Sequence, residues 1–281
     1  MKNGLVLEGG GLRCMYTAGI LDVFMEHGVK FDGAIGVSAG ATFGCNFKSG
    51  QIGRALRYNK RFAGDKNYTS VYSWLTTGDL VNARMAYHEV PVKYDPFDYE
   101  AFLKNPMEFQ LVCTDVHTAQ PVYKVVDDTD VHETLEWMRA TASMPLVSRA
   151  VPRGDMLLLD GGISDSIPLR HFQECGYEKN VVILTQPAGF YKQKTKLTPV
   201  FKLFCKYPKI AEAMARRHEM YNGELAYLNE QVQQGNTLAI YPEGKLEIGR
   251  VEMKPAKMDA IYAQGRKKGE EIVHTVMEFL K

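Results

Sequence analysis

Residues 5–40 read LVLEGGGLRCMYTAGILDVFMEHGVKFDGAIGVSAG, and this stretch decides the fold. It begins with Leu5-Val6-Leu7, which has the character of a short buried strand ending at three glycines. Apolar residues between positions 12 and 24 then recur at helical spacing, and Gly28 supplies a left-handed stop. Residues 34–37 form a second apolar run, which leads through a serine turn into another helix. Two strands joined by a helix, within about fifty residues, predict a parallel sheet with crossover helices.

The rest of the chain continues the alternation of strands and helices. Apolar runs predict strands at 109–114, 121–126, 180–185 and 237–241. Helical spacing predicts helices at 12–27, 54–63, 70–75, 131–141 and 258–280. We expect Pro145 to stop the helix at 131–141, and Gly265 and Gly269 to weaken the last one. Near residue 190 the sequence changes from strand-rich to helical and basic.

The composition is that of a globular protein. Its 281 residues, 45% hydrophobic and 24% charged, suffice for one large α/β domain or for a domain with an appendage. A net charge of +1 argues against a nucleic-acid partner. The five scattered cysteines have no metal-ligand spacing and indicate reduced thiols. The first apolar run is too short for a signal peptide, and no stretch approaches the ~18 apolar residues of a membrane span, so we expect a cytoplasmic protein.

Three short motifs carry the chemistry. Gly36-Val37-Ser38-Ala39-Gly40 matches Gly-x-Ser-x-Gly, a turn that can expose a serine oxygen as a nucleophile. Gly9-Gly10-Gly11 precedes a helix, where free backbone N–H groups can bind an oxyanion or a phosphate. Asp160-Gly161-Gly162 follows the apolar run 156–159 and places a carboxylate on a tight turn, where it can act as a base. Together these are the parts of an acyl-transfer site.

Two other kinds of site share parts of this pattern. In an ordinary α/β-hydrolase the serine turn follows several strands and a histidine base comes last, whereas here only one strand and one helix precede the strand that leads into Ser38. The seven histidines have no motif around them, and His171, near the Asp160 turn, is the best alternative base among them.

The glycine loop read alone suggests a nucleotide site. However, the third glycine of G-x-G-x-x-G falls on Cys14, and no lysine–serine/threonine pair follows.

The order of the three motifs resembles that of the patatin-like phospholipases, most closely their bacterial members. Further stretches match: Tyr16–Asp22, Thr114–Thr118, Ala140–Pro145 and Asp160–Pro168. The resemblance covers residues 3 to about 186, and the remainder is similar to a helical extension of some bacterial members. It implies a three-layer α/β/α sandwich around a mainly parallel sheet. It also implies a catalytic domain at 3–186 with a helical, basic C-terminal extension at 187–281 packed on it.

The resemblance also implies roles for the motif residues. The family uses a serine–aspartate dyad without histidine, so Ser38 would be the nucleophile and Asp160 the proton acceptor. The oxyanion hole would be carried by Gly9, Gly10 and Gly11, and Arg13 would orient a substrate phosphate or brace the loop. The two turns would be shaped by Gly36, Gly40, Gly161 and Gly162. No metal ion or organic cofactor is implied. Cys14 stands where the family usually has glycine, which puts loop geometry and substrate fit in doubt.

The predicted function is hydrolysis of the acyl esters of a phospholipid or a related lipid. A soluble carboxylesterase or thioesterase with the same site is an alternative, and so is a catalytically silent lipid- or nucleotide-binding module. Residues 191–221 carry eight Lys or Arg against two Glu, interleaved with apolar side chains. This basic segment would either make peripheral contact with an anionic membrane or form a solvated helical face. The sequence indicates neither the head group nor the acyl chain length nor the oligomeric state.

Overall fold

Eight strands form one mixed sheet in a computed structural model that describes residues 1–281. The strands are β1 Lys2–Leu7, β2 Gly33–Val37, β3 Glu108–Asp115, β4 Pro121–Val125, β5 Val151–Arg153, β6 Met156–Asp160, β7 Tyr177–Ile183 and β8 Thr237–Ile240. Hydrogen bonding connects them in the order β5-β6-β3-β2-β1-β7-β8, and β4 pairs with β3. Neighbours from β3 through β8 are parallel, whereas β4 and β6 run antiparallel to β3. The prediction of a mainly parallel sheet is thus confirmed.

Ten α-helices connect the strands. They are α1 Met15–Glu26, α2 Ala39–Lys48, α3 Arg54–Arg61, α4 Val71–Thr77, α5 Tyr99–Lys104, α6 Val131–Thr141, α7 Leu169–Glu174, α8 Thr198–Phe204, α9 Pro208–Gln233 and α10 Pro255–Phe279. Short 3₁₀ turns precede α1 and follow β6, and a π-helical segment spans Met85–Tyr94. Each predicted helix and strand is present, whereas no sequence pattern indicates the π-helical segment.

Helices cover both faces of the sheet. The side chains of β1 alternate between the faces, as the pleat requires. Leu5 and Leu7 join the larger core with α1, α2 and α10. Val6 joins a second core with residues of α7 and α9, such as Phe172 and Leu228. This arrangement confirms the three-layer α/β/α sandwich and the helical character of the C-terminal segment.

The C-terminal segment is built into the sheet and its core. Strand β8 extends the sheet beside β7, and α10 packs along α1. The helix α10 runs without interruption through Gly265 and Gly269. A Cβ atom at Gly265 would lie only 2.0 Å from the carbonyl oxygen of Tyr16. The two glycines, expected to weaken α10, are therefore where it approaches α1 most closely, and packing offsets their poor helix propensity.

The register of β3 brings two distant parts of the chain together. Val37, the last residue of β2, pairs with Val112 of β3, while Asp160, the last residue of β6, pairs with the next β3 residue, Cys113. Strand β4 occupies one edge of β3 over 110–114, so β2 and β6 must share the other edge. Strands β2 and β6 run toward each other along that edge of β3. The ends of β2 and β6 therefore meet at neighbouring positions.

Candidate active site

Ser38 occupies a strained turn between β2 and α2. Its backbone angles are φ 55° and ψ −128°, a conformation that non-glycine residues rarely adopt. The Ser38 N–H donates to Oγ1 of Thr141 at 3.0 Å, which anchors the turn to the end of α6. A Cβ atom at Gly40 would lie 2.5 Å from the carbonyl oxygen of Leu7, so only glycine fits where α2 begins. Gly36 has equally little room. The arrangement is that of a nucleophile turn.

The carboxyl group of Asp160 faces the Ser38 hydroxyl at the end of β6. Burial raises the pKa of this carboxyl above its ordinary value. The Ser38 hydroxyl and the N–H of Gly162, whose nitrogen lies 2.8 Å from Oδ1, act in the opposite direction because they stabilise the ionised form. The charges of Arg217 and Arg250 also lower this pKa. A buried carboxylate with one oxygen held by a backbone amide keeps its other oxygen available to accept a proton.

The glycine loop lies against the serine turn. The N–H groups of Gly9, Gly10 and Gly11 have no acceptor in the protein, and all three residues line the cavity that contains Ser38. A Cβ atom at Gly9 would lie 2.9 Å from Cβ of Ser38. The N–H of Ala39 likewise has no acceptor, whereas the amide of Ser38 itself is taken up by Thr141. Four amides without a protein acceptor thus belong to residues that line the two cavities beside the serine.

Arg13 and Cys14, which follow the glycine loop after Leu12, lie in different surroundings. Arg13 lines the same cavity as Ser38. Cys14 is fully buried in the core, and its thiol lies 3.5 Å from the carbonyl oxygen of Glu8. Burial raises the pKa of the Cys14 thiol, so the group is inert at neutral pH. Because it does not line the cavity, the cysteine does not narrow the space available to substrate.

The histidines lie elsewhere. None of the seven lines the cavity around Ser38. His171, the alternative base considered above, stacks on Tyr123 with ring centroids 3.4 Å apart. Its Nε2 lies 3.2 Å from Oε1 of Gln110, on the opposite face of β3 from the core that holds α1. The structure therefore brings Asp160, and no histidine, to the serine.

Two cavities of different character meet at Ser38. The first, of about 150 Å³, contains the glycine loop and Asp160 and is lined by four cations: Arg13, Lys192, Arg217 and Arg250. The second, of about 130 Å³, is mainly apolar and is lined by aromatic side chains that include Phe43, Tyr58, Tyr68 and Tyr87. The two share Ser38, Gly11, Met144 and Arg250. A molecule bound across the serine would therefore have a polar and an apolar end.

Helix α9 holds the loops of the site in place. The Tyr221 hydroxyl donates to Glu8 at 2.7 Å, just before the glycine loop. Arg217 donates to the carbonyl oxygen of Gly162, beside the aspartate turn. Glu224 accepts from two backbone amides of the segment after that turn, at 3.0 and 3.1 Å. Sequence patterns did not reveal these contacts, because nothing in the spacing of α9 distinguishes them from surface positions.

The basic segment 191–221 divides between the site and the surface. Lys192 and Arg217 line the cavity of Ser38, as does Phe201 of α8. In the last turn of α8, Leu203 and Phe204 are 75% and 69% exposed. None of the helices has both the length and the apolar character needed to cross a bilayer. No group of three or more His, Cys, Asp or Glu is arranged to hold a metal ion.

Comparisons with known proteins match two parts of the chain. The family model described as "Patatin-like phospholipase" matches residues 5–172, and one described as "Domain of unknown function (DUF6363)" matches residues 207–281. The protein YjjU of Escherichia coli (strain K12) is 30% identical over 193 residues, which cover 66% of this chain and 53% of YjjU. Lysophospholipase nte1 of Aspergillus terreus is 26% identical across 95% of this chain, which corresponds to 18% of the fungal protein.

A solved structure has a more distant likeness. VipD from Legionella pneumophila aligns with 98% of this chain and 67% of its own, at 11% identity and a TM-score of 0.47. The chain spans about half the length of YjjU, and much less of the fungal lysophospholipase. The patatin model, in contrast, covers more than half of this chain, including the glycine loop, the serine turn and the aspartate turn. The chain therefore belongs to the patatin-like phospholipase family.

Proposed function

We propose that the protein hydrolyses carboxylic esters of lipids through an acyl-enzyme, with Ser38 as nucleophile and Asp160 as base. The observation that carries this proposal is the meeting of β2 and β6 on one edge of β3, which sets the hydroxyl against the carboxylate. Free amides of the glycine loop face the same cavity. The relatives that are named lysophospholipases are consistent with a lipid ester as substrate.

The first half of the reaction forms the acyl-enzyme. Oγ of Ser38 attacks the ester carbonyl carbon as its proton moves to the free oxygen of Asp160. The N–H groups of residues 9–11 stabilise the negative charge that develops on the carbonyl oxygen, each contributing about 3 kcal/mol to transition-state stabilisation. The C–O bond to the alcohol then breaks, and Asp160 returns the proton to the leaving oxygen.

The second half regenerates the enzyme. Asp160, again ionised, takes a proton from water, and the resulting hydroxide attacks the acyl carbon. The bond to Ser38 breaks, its oxygen recovers the proton, and the carboxylic acid leaves. The raised pKa of the buried Asp160 makes it a stronger base than an exposed carboxylate, which suits both proton transfers. The proposed catalytic unit is residues 3–186, with residues 187–281 as an extension packed on it.

Covalent labelling tests the nucleophile and the base. A fluorophosphonate probe is expected to label the wild-type protein and to leave Ser38→Ala unlabelled. Asp160→Asn should fold normally and lose nearly all turnover, because an amide cannot accept the proton. The matched control is His171→Gln, which removes the alternative base and should retain turnover. Labelling that persists in Ser38→Ala, or turnover that survives in Asp160→Asn but not in His171→Gln, would refute the dyad.

Substrate presentation separates a lipid hydrolase from a soluble esterase. The same acyl ester is offered as a short-chain form in solution and as a long-chain form in vesicles. The apolar cavity beside Ser38 should favour the longer chain, because each buried methylene contributes about 0.8 kcal/mol. Higher kcat/KM for the short, dissolved ester would favour the carboxylesterase or thioesterase alternative. Absence of turnover and labelling would favour a silent binding module.

A further inference from the structure

Four positive side chains surround the cavity in front of Ser38, and three of them come from the C-terminal segment. Arg13 belongs to the glycine loop, whereas Lys192, Arg217 and Arg250 lie beyond residue 186. The same cavity is lined by only two carboxylates, Glu8 and Asp160. Cations therefore outnumber anions two to one around a space that adjoins the nucleophile.

The two carboxylates act on these cations at a distance but form no ion pair with any of them. The carboxylate of Glu8 is occupied by neutral donors, the backbone N–H and hydroxyl of Thr185 and the hydroxyl of Tyr221. The ion pairs of the protein involve other residues, such as Arg57 with Asp95 and Arg266 with Glu26. With four cations and two carboxylates around the cavity, an excess of positive charge is left for a ligand to balance.

Two of the cations, Arg217 and Lys192, are nevertheless held in place. Arg217 donates to two neutral acceptors, the carbonyl oxygen of Gly162 and the hydroxyl of Ser166. Reciprocal hydrogen bonds with Asn222, at 2.9 and 3.0 Å, fix the backbone of Lys192. The Lys192 ammonium group lies over the ring of Tyr221, 4.4 Å from its centroid.

Arg13 lacks even a neutral partner, since its buried Nε has no hydrogen-bond acceptor. Such a buried donor is costly unless a ligand completes it. Burial and the charges of Arg217 and Arg250 lower the pKa of Lys192 to about 7, which is the expected result of crowding cations together. Four cations around one polar cavity are what a site for a compact anion requires.

The apolar cavity lies on the other side of Ser38. We propose that the cation cluster is a phosphate subsite completed by the C-terminal segment, and that the preferred substrate is a single-chain acyl ester carrying a phosphomonoester. The acyl chain would enter the apolar cavity while the phosphate binds Arg13, Lys192, Arg217 and Arg250. Guanidinium groups suit phosphate because they can donate two parallel hydrogen bonds. This inference rests on the proposed ester hydrolysis.

The charge of the cluster also predicts what the site disfavours. A phosphocholine head group has no net charge, and its quaternary ammonium would approach the same cations that attract its phosphate. A neutral monoacylglycerol would leave the cluster unbalanced. Three soluble esters with the same acyl chain therefore form a matched series: acyl-glycerol phosphate, acyl-glycerophosphocholine and monoacylglycerol. At pH 6.5, where Lys192 is charged, we expect kcat/KM for the phosphomonoester to exceed that for each of the others at least tenfold.

Variants test whether the cluster produces this preference. In Lys192→Met and Arg250→Gln, the ratio of kcat/KM between the phosphomonoester and the monoacylglycerol should fall at least fivefold. The matched control is Lys104→Met on α5, which removes an exposed lysine paired with Glu100 and should leave the ratio unchanged. Fluorophosphonate labelling of Ser38 shows that each variant is folded. If the wild-type enzyme cleaves the neutral ester with no preference for the phosphomonoester, the subsite is refuted and ester hydrolysis stands.

Two further arms separate the sources of phosphate and the role of Lys192. If the variants weaken inhibition of monoacylglycerol cleavage by inorganic phosphate but leave the ratio unchanged, the site binds a free anion and the head-group proposal fails. Above pH 7 wild-type Lys192 loses its charge, so the ratio should fall as pH rises from 6.5 to 8.5. Lys192→Arg, which stays charged, should keep the ratio constant. A fall of equal size in Lys192→Arg would contradict the assignment.

Discussion

We expect the hydroxyl of Thr141 to hold the turn of Ser38, the proposed nucleophile, in its strained conformation. Its Oγ1 accepts the N–H of Ser38 at 3.0 Å and donates to the carbonyl oxygen of Val112, so it links α6, β3 and the turn. Thr141→Val keeps the shape of the fully buried side chain but removes the hydroxyl. The Ser38 amide is then left without an acceptor.

The size of the effect follows from that orphaned amide. An unsatisfied buried donor costs about 1–3 kcal/mol, so the free energy of unfolding should fall by this amount. In a protein near this size, each kcal/mol lowers Tm by about 2–4 °C. The turn also loses the bond that opposes relaxation of Ser38 from φ 55°. A displacement of about 1 Å at a reacting atom can cost ~100-fold in rate, so we expect kcat to fall by about 10- to 100-fold.

The assay combines thermal unfolding with steady-state kinetics on a soluble ester. Thr141 lines neither cavity beside Ser38, so KM should stay near the wild-type value while kcat falls. The control is Thr141→Ser, which retains the hydroxyl and should keep most of kcat. If Thr141→Val loses stability with kcat unchanged, the hydroxyl does not position the nucleophile. If Thr141→Ser loses as much kcat as Thr141→Val, packing of the methyl group and not the hydrogen bond is responsible.

Three other perturbations follow from the structure. Arg250→Gln should shift the acid limb of kcat/KM for a neutral ester to higher pH. The guanidinium of Arg250 lowers the pKa of Asp160, the proposed base, which works only when it is ionised. An acid limb at the wild-type pH would contradict this prediction. Gly265→Ala should lower the free energy of unfolding, measured in urea, by about 1–3 kcal/mol, because the new Cβ atom would meet α1. Gly223→Ala should raise it by about 1 kcal/mol, because this position on α9 has open space for a Cβ atom. Equal effects at the two glycines would show that packing against α1 does not matter. Because the apolar end of α8 is exposed, the protein should bind to anionic vesicles, and it should lose this binding when three nearby lysines are reversed in charge. If the variant protein sediments with the vesicles as the wild type does, the membrane contact is excluded. The reversed residues are Lys202→Glu, Lys206→Glu and Lys209→Glu.

The sequence was sufficient for the parts of the fold that depend on local pattern. The strand at 180–185 was recognisable because a strand buried on both faces is continuously apolar, and it is β7 in the interior of the sheet. The helix at 131–141 ends at Thr141, ahead of Pro145, as the proline predicts. Helix propensity alone predicts that Gly265 and Gly269 weaken the last helix. Their packing against α1 depends on a helix far away in the chain and has no local signature.

The residues of the candidate site likewise fall into those that local sequence patterns reveal and those that only the fold reveals. The three glycine-containing motifs were visible because each needs a backbone conformation or a close approach that few residue types permit. Thr141 lay within a matching stretch, but its role depends on the register of β3 and could not be read from spacing. Lys192 and Arg217 were counted in a basic segment. Arg217 lies on α9 and Lys192 precedes α8, so the folded path of both segments decides whether such cations face solvent, lipid or a cavity. Both line the cavity of Ser38.

Because Lys192 and Arg217 face the cavity, we expect head-group specificity to depend on residues outside the part of the chain that contains the proposed nucleophile. The proposed nucleophile, base and glycine loop all precede residue 172, within the part of the chain that the patatin model covers. The cation cluster depends mainly on residues outside it, and α9 also holds the glycine loop and the aspartate turn through Tyr221 and Arg217. We expect a C-terminal segment with these contacts to act on both rate and selectivity. Exchanging residues 187–281 for those of a relative should therefore alter head-group preference while Ser38 remains reactive toward a fluorophosphonate.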